Sequence, residues 1–129
     1  MSASVLWEPL GLYKRYEGFV TGADLLSLAH SIHTDPRFDR SRYSIEDYSG
    51  VTSFEIDAIT LEALAAHVIG AGLSRQSGCF AFVTTDPKAR AAIARFVELT
   101  GSTHPSAVFD DLPSARRWVE QQLQPAVSR

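Results

Sequence analysis

Two short stretches decide the fold of this chain: Asp47-Tyr48-Ser49-Gly50-Val51 and Asp57-Ala58-Ile59-Thr60-Leu61. The first ends a run of β-branched and aromatic residues that predicts a strand over 43–48, and Ser49-Gly50 predicts a loop after it. The second opens a helix that Asp57 or Thr60 caps. The apolar stripe of this helix consists of Leu61, Leu64, Ala65 and Val68. Strand, loop and helix in direct succession indicate an α/β fold.

The residues before this unit predict a paired strand and a helix. From Val5 to Val20 two extended pieces flank the turn-like segment Glu8-Pro9-Leu10-Gly11. Both faces of the second piece mix apolar and charged residues, which favours an edge or hairpin strand. Thr21 and Asp24 have the spacing of a capping box, which predicts a helix over 22–34. The polar segment from 34 to 42 is expected to be an exposed connection.

The residues after the unit repeat the alternation of strand and helix. A strand is predicted over 79–84 and another over 107–109. Asp86-Pro87 opens a helix that Gly101 ends, and Asp110 or Asp111 opens the last helix. The fold class is therefore α/β, with about four helices on a mainly parallel sheet of four to five strands.

Composition limits the classes of function. The 129 residues fit one domain, 1–129, and their net charge of -3 argues against a nucleic-acid partner. The basic residues Arg37, Arg40 and Arg42 alternate with acidic ones and predict a solvated loop. The single cysteine, Cys79, is expected to be a buried, inert thiol. No segment predicts secretion or membrane insertion, so the expected location is cytoplasmic.

Three segments carry a resemblance to a known family. They are Glu17-Gly18-Phe19-Val20-Thr21, Ile45-Glu46-Asp47-Tyr48-Ser49-Gly50-Val51, and Val108-Phe109 followed by Ala115-Arg116-Arg117-Trp118-Val119. They resemble STAS domains, the bacterial anti-sigma-factor antagonists, and especially the small SpoIIAA-like proteins of the STAS/SEC14-like group. The resemblance runs from about Gly11 to Leu123 and implies a SpoIIAA-like sandwich.

The resemblance also shows which chemistry is missing. In phosphorylatable STAS antagonists the helix start reads Asp-Ser-Ser-Gly-Leu, and its first serine accepts the phosphate. Here Asp57 and Leu61 match, but Ala58 and Ile59 replace both serines and Thr60 replaces the glycine. Thr60 has two interpretations, a displaced phosphoacceptor or a helix cap. The spacing before Asp57 is also about two residues longer than in that pattern.

The resemblance therefore implies a noncatalytic interaction or regulatory module without the phosphoacceptor serine. Neither a cofactor nor a metal ion is part of this prediction. The partner of the module is a protein or a second copy of the chain, and the edge strand predicted over 12–20 suits a homodimer. The predicted partner-binding residues are Tyr48, Ser49, Ser53, Glu55, Asp57, Ala58 and Thr60.

Two alternatives remain open. SEC14-like relatives bind lipids, so a carrier of a small apolar molecule is the second hypothesis. The third is a metal-dependent enzyme that uses aspartates at the strand ends, namely Asp47, Asp86, Asp110 and Asp111. His30 and His33 share a helix face and give a weak zinc signal.

Overall fold

A computed structural model describes residues 1–72, 78–101 and 104–124 of the chain. These residues form strands, α-helices and one short 3-10 helix. The strands are β1 (Ser2–Trp7), β2 (Leu12–Thr21), β3 (Tyr43–Glu55), β4 (Cys79–Val83) and β5 (Ser106–Phe109). The α-helices are α1 (Gly22–His33), α2 (Ala58–Gly72), α3 (Pro87–Thr100) and α4 (Leu112–Leu123), and the 3-10 helix is Pro36–Arg40.

The strands form one sheet in the order β1-β2-β3-β4-β5. β1 and β2 form an antiparallel hairpin, and the remaining neighbours are parallel. Each parallel connection contains a helix, as a parallel crossover requires. The mainly parallel α/β sheet predicted from the sequence is therefore confirmed.

The helices cover the two faces of the sheet unequally. α1, α2 and α3 pack on one face, here called the three-helix face, where the core includes Tyr16, Leu25, Leu61, Phe82 and Phe96. α4 packs on the opposite face, here called the α4 face. The core there includes Tyr43, Ile45, Ala81, Val83 and Val119. Alternate residues of β3 and β4 supply the two cores because side chains alternate across a strand.

The predicted helix starts are confirmed. Thr21 and Asp24 form both bonds of the capping box, Asp86 caps α3, and Asp111 caps α4. Gly101 ends α3 in the left-handed region at φ 68, where glycine carries no Cβ penalty.

The predicted loop at Ser49-Gly50 is wrong, since β3 runs through it to Glu55. β2 pairs with this second half of β3, with Gly50 opposite Glu17. A Cβ on Gly50 would lie 2.9 Å from the Glu17 Cγ atom, so the glycine permits close approach of the two strands. What resembles a turn in the sequence is a point of tight strand pairing.

Two further predictions need correction. The sequence favours an edge or hairpin strand over 12–20. β2 is a hairpin strand paired with β1, but it lies between β1 and β3, so the edge alternative is wrong and the outer strand at that side is β1. The connection from 34 to 42 contains the 3-10 helix, which buries Phe38 to 3% exposure. No helix among the described residues is long and apolar enough to cross a membrane.

Candidate functional site

The predicted partner-binding residues form two groups in the structure. Ser49 and Ser53 are exposed on the second half of β3. β4 pairs with β3 only as far as Asp47, opposite Val83, so among the described residues β3 from Tyr48 to Glu55 has no strand partner on that side. The other group, Glu55 to Thr60, follows directly and leads into α2. The predicted surface is thus continuous.

Tyr48 is the exception, because it is buried to 8% exposure. Its ring stacks on that of Tyr16 with 4.6 Å between centroids, and Phe54 packs against it edge-on. Tyr48 is therefore a core residue of the three-helix face, and its prediction as a partner contact is wrong.

An open groove of about 870 Å³ lies beside the starts of α1 and α2 and the outer side of α3. We call it the strand-end groove. Four of the predicted residues line it, namely Glu55, Asp57, Ala58 and Thr60. Phe54, Ile56, Leu61 and Ala92 contribute apolar surface. Next to it, Ile59 has 79% of its surface exposed.

Charged side chains line both sides of the strand-end groove. Glu55, Asp57 and Glu62 lie on the side of β3 and α2, while Lys88 and Arg95 lie on α3. Among the described residues, Glu55, Glu62 and Lys88 have no ionic partner. The groove therefore offers free charges of both signs on opposite walls.

The other two charges of the groove have local roles. Asp57 caps α2, since its Oδ1 atom accepts a hydrogen bond from the Thr60 amide at 2.7 Å. Hydrogen bonds from the Thr60 backbone and side chain lower the pKa of Asp57. Arg95 lies 3.1 Å from the Glu98 carboxylate. Asp57 rather than Thr60 is thus the cap, and Thr60 is a groove residue half-exposed to solvent.

A second concave site, the buried cavity, lies between the sheet and the helices of the three-helix face. Its volume is about 70 Å³, whereas pockets for drug-sized molecules measure roughly 300–1,000 Å³. Apolar residues of all three helices line it, together with Phe38. The cavity is too small for a lipid chain in this conformation, which weakens the hypothesis of an apolar carrier.

The sheet side of the buried cavity is polar. The Lys14 Nζ atom lies 2.7 Å from Glu46 Oε1, and the Tyr16 hydroxyl donates to Glu46 Oε2 at 2.8 Å. Burial, with the nearby Glu46 charge, raises the pKa of Tyr16 well above its ordinary value, and burial does the same for Tyr48. Both phenols therefore keep their protons. Ser44 completes the polar lining at 2% exposure.

The α4 face carries a different polar network, which links β2 and β3 through hydrogen bonds. Asp47 is almost fully buried and accepts hydrogen bonds from Tyr13, Arg15 and the Ser49 amide. Burial raises its pKa, but these bonds and the Arg15 charge lower it more, so the net pKa is below the ordinary value. This carboxylate holds β2 against β3.

The four aspartates of the enzyme hypothesis do not converge. Asp47 lies within β3 rather than at its end, Asp86 and Asp111 cap helices, and Asp110 pairs with Arg90. Within ranges 1–72, 78–101 and 104–124, no group of three His, Cys, Asp or Glu side chains is arranged to hold a metal ion. The carboxylates thus have separate structural contacts.

The histidines of α1 meet a third histidine, His67 of α2, that sequence reasoning did not connect with them. The Nδ1 atoms of His33 and His67 lie 2.6 Å apart, and the His30 ring contacts His67 edge-on.

Cys79 is buried as predicted, at 3% exposure.

The architecture and its sites define a class of fold. One face carries three helices, the other carries a terminal helix, and an antiparallel strand extends a parallel sheet. This is a SpoIIAA-like fold, as a solved structure demonstrates. The chain is similar to an uncharacterised protein of the DUF3478 family with a SpoIIAA-like fold from Shewanella loihica PV-4.

That similarity has a TM-score of 0.55 at 12% sequence identity and covers 92% of each chain. No family model matches this sequence, and no curated protein matches it. Identity this low supports the fold alone, so function has to be argued from the sites.

Proposed function

We propose that this protein is a noncatalytic interaction module that binds an extended, amphipathic segment of a partner protein along β3 and in the strand-end groove. The observation that carries the proposal is the groove itself, about 870 Å³ in volume and lined by Glu55, Asp57, Ala58 and Thr60. These are residues at which the resemblance to STAS antagonists places partner contacts. The fold is compatible with this role.

The unpaired part of β3 supports an extended conformation for the partner segment. Ser49 and Ser53 lie on a stretch of strand whose side towards β4 has no strand partner in the part of the chain that the structure describes. An exposed strand edge supplies backbone donors and acceptors, and a bound peptide uses them as an added strand. Such a peptide gains affinity from main-chain bonds and specificity from the groove at the end of β3.

Charge complementarity defines the chemistry of the partner segment. Basic side chains would face Glu55 and Glu62, and an acidic side chain would face Lys88. An apolar side chain between them would contact Phe54 and Ile56. Because Ala58 and Ile59 have no hydroxyl group to phosphorylate, binding here is expected to be constitutive rather than switched by phosphate at those positions.

Affinity measurements with matched charge reversals test the proposal. The partner is first identified by cross-linking in cells that naturally express the protein and is then purified. Glu62→Lys reverses a charge in the groove, and Glu120→Lys reverses one on α4, which packs on the opposite face. We expect Glu62→Lys to weaken binding about tenfold, which corresponds to about 1.4 kcal/mol, and Glu120→Lys to leave it unchanged.

The proposal is wrong if Glu62→Lys, Glu55→Lys and Lys88→Glu all bind the partner as tightly as the unsubstituted protein and the control Glu120→Lys do.

Self-association stays a prediction beside this proposal, now through β1 rather than β2. Leu6 of β1 is 57% exposed and Phe19 of β2 is 48% exposed. Light scattering at two concentrations tests a homodimer, and the cytoplasmic location is a further prediction.

A further inference from the structure

The polar side of the buried cavity has more hydrogen-bond donors than the described residues use. The Lys14 ammonium has three N–H donors, yet among the described residues its one ionic partner is Glu46. Lys14 is 8% exposed, so water has little access to the remaining donors. Glu46, in contrast, accepts from both Lys14 and Tyr16.

Ser44 adds a second donor with spare capacity. Its side chain lines the cavity at 2% exposure, and its hydroxyl makes no side-chain hydrogen bond within the described chain. Buried polar groups in proteins are nearly always hydrogen-bonded, and each exception calls for an explanation. Ser44 and Lys14 therefore both line the cavity with donors for a bound molecule that offers an acceptor atom.

Charge and size limit the identity of that molecule. Lys14 and Glu46 already neutralise each other, so a charged ligand would leave an uncompensated charge in a buried site, which is unfavourable. The opposite walls are apolar and include Leu25, Ile32 and Phe38. The volume of about 70 Å³ admits a few heavy atoms.

We propose that the buried cavity is a binding site for a small neutral carbonyl compound, whose oxygen accepts hydrogen bonds from Lys14 and Ser44 and whose short carbon body contacts Leu25 and Ile32. This site shares apolar wall residues such as Phe54 and Leu61 with the partner-binding groove. Its polar residues Lys14, Ser44 and Glu46 do not line the groove, so substitutions at these residues test the cavity separately.

Two-carbon probes with different head groups test the ligand class. Acetamide, acetate and ethylammonium are titrated separately into the labelled protein, and the amide signals of Ser44, Glu46 and Tyr48 are followed by NMR. We expect acetamide to give saturating shifts with a millimolar dissociation constant, because so few atoms provide limited binding energy. Acetate and ethylammonium are expected to bind at least about tenfold more weakly.

A serine variant tests the placement of the ligand. Ser44→Ala removes one donor without adding volume, whereas Ser27→Ala removes an exposed hydroxyl from α1. We expect Ser44→Ala to weaken acetamide binding at least about fivefold, and Ser27→Ala to leave it unchanged. Lys14→Met also removes a donor, but it breaks the ion pair, so Ser44→Ala is the decisive variant.

Three results would overturn the proposal. The absence of saturating acetamide shifts would mean that water alone occupies the cavity. Equal or tighter binding of acetate or ethylammonium would refute the neutral ligand class. Unchanged affinity in Ser44→Ala would refute the placement. None of these outcomes bears on the strand-end groove, which is tested by charge reversals at other residues.

Discussion

The two concave sites of this protein use charge in opposite ways. In the buried cavity, Lys14 and Glu46 are nearly inaccessible and neutralise each other at 2.7 Å. In the strand-end groove, Glu55, Glu62 and Lys88 are exposed and have no ionic partner among the described residues. The buried pair makes its contact within the folded chain, whereas the exposed charges of the groove are available for contacts with another molecule.

The difference predicts which substitutions affect stability. Removing one member of a buried ion pair leaves the other charge uncompensated in a poorly solvated site. Reversing an exposed charge that has no ionic partner leaves the free energy of unfolding nearly unchanged. Stability and binding should therefore respond to different residues.

The largest effect is expected for Lys14→Met. The substitution leaves Glu46 buried beside apolar side chains, and we expect the free energy of unfolding to fall by about 3–5 kcal/mol. Urea unfolding followed by circular dichroism measures the loss. Lys14→Met combined with Glu46→Leu is the control, since it removes both charges. The double variant should be more stable than Lys14→Met alone. Equal or lower stability would contradict the claim that the unpaired Glu46 carboxylate destabilises the folded state.

A smaller effect is expected for Asp57→Ala, because Asp57 is the one acidic residue of the groove with a structural role. The substitution removes the cap of α2 and should cost about 1 kcal/mol. Asp57→Ser, which keeps a capping oxygen, should retain most of the stability. If the two variants unfold at the same urea concentration, the cap does not stabilise α2.

Acid should weaken the fold through Asp47 and Glu8. A hydrogen bond from Arg116 lowers the pKa of Glu8, partly opposed by burial, and the pKa of Asp47 is also lowered. Their contributions are fully present above the unfolded pKa values, about 3.9 for Asp and 4.3 for Glu. These contributions are lost as the pH falls through the lower folded values.

Urea unfolding at a series of pH values tests this dependence. Asp47→Asn should reduce the loss of stability below about pH 4, since this position no longer takes up a proton. Glu120→Gln is the control, because Glu120 is exposed on α4 and makes none of these contacts. If the free energy of unfolding of Asp47→Asn falls with decreasing pH as steeply as that of the unsubstituted protein, the Asp47 carboxylate does not contribute to acid sensitivity.

The smallest effect on stability is expected for the double variant Glu55→Lys/Glu62→Lys. Both side chains are exposed and make no ion pair in the described chain, so the free energy of unfolding should change by less than about 0.5 kcal/mol. Partner binding should nevertheless be weakened. A loss of several kcal/mol in urea unfolding would show that these charges support the fold.

Local signals made most of the fold predictable. Capping residues and apolar spacing depend on residues close in sequence, which is why the starts at Thr21 and Asp86 are confirmed. The sequence pattern indicates too short a β3 because Ser49-Gly50 has the composition of a turn. Its extended conformation comes from pairing with β2, a contact between residues about thirty positions apart.

The same error explains the misplacement of Tyr48. In a strand that continues to Glu55, Tyr48 lies on the same side as Ser44 and Glu46 and so points into the three-helix core. The pair Lys14–Glu46 was also missed. Lys14 lies between Leu12 and Tyr16 on a buried face, which is a detectable anomaly, but its partner depends on the register of β2 against β3.

Amide hydrogen exchange with and without the purified partner tests the central claim most directly. Backbone amides in contact with a bound segment exchange more slowly. Increased protection is predicted for the range 49–60 and for 88–95 of α3, with little change in α4. Protection confined to α4 and the outer face of the β1–β2 hairpin would contradict the proposed site.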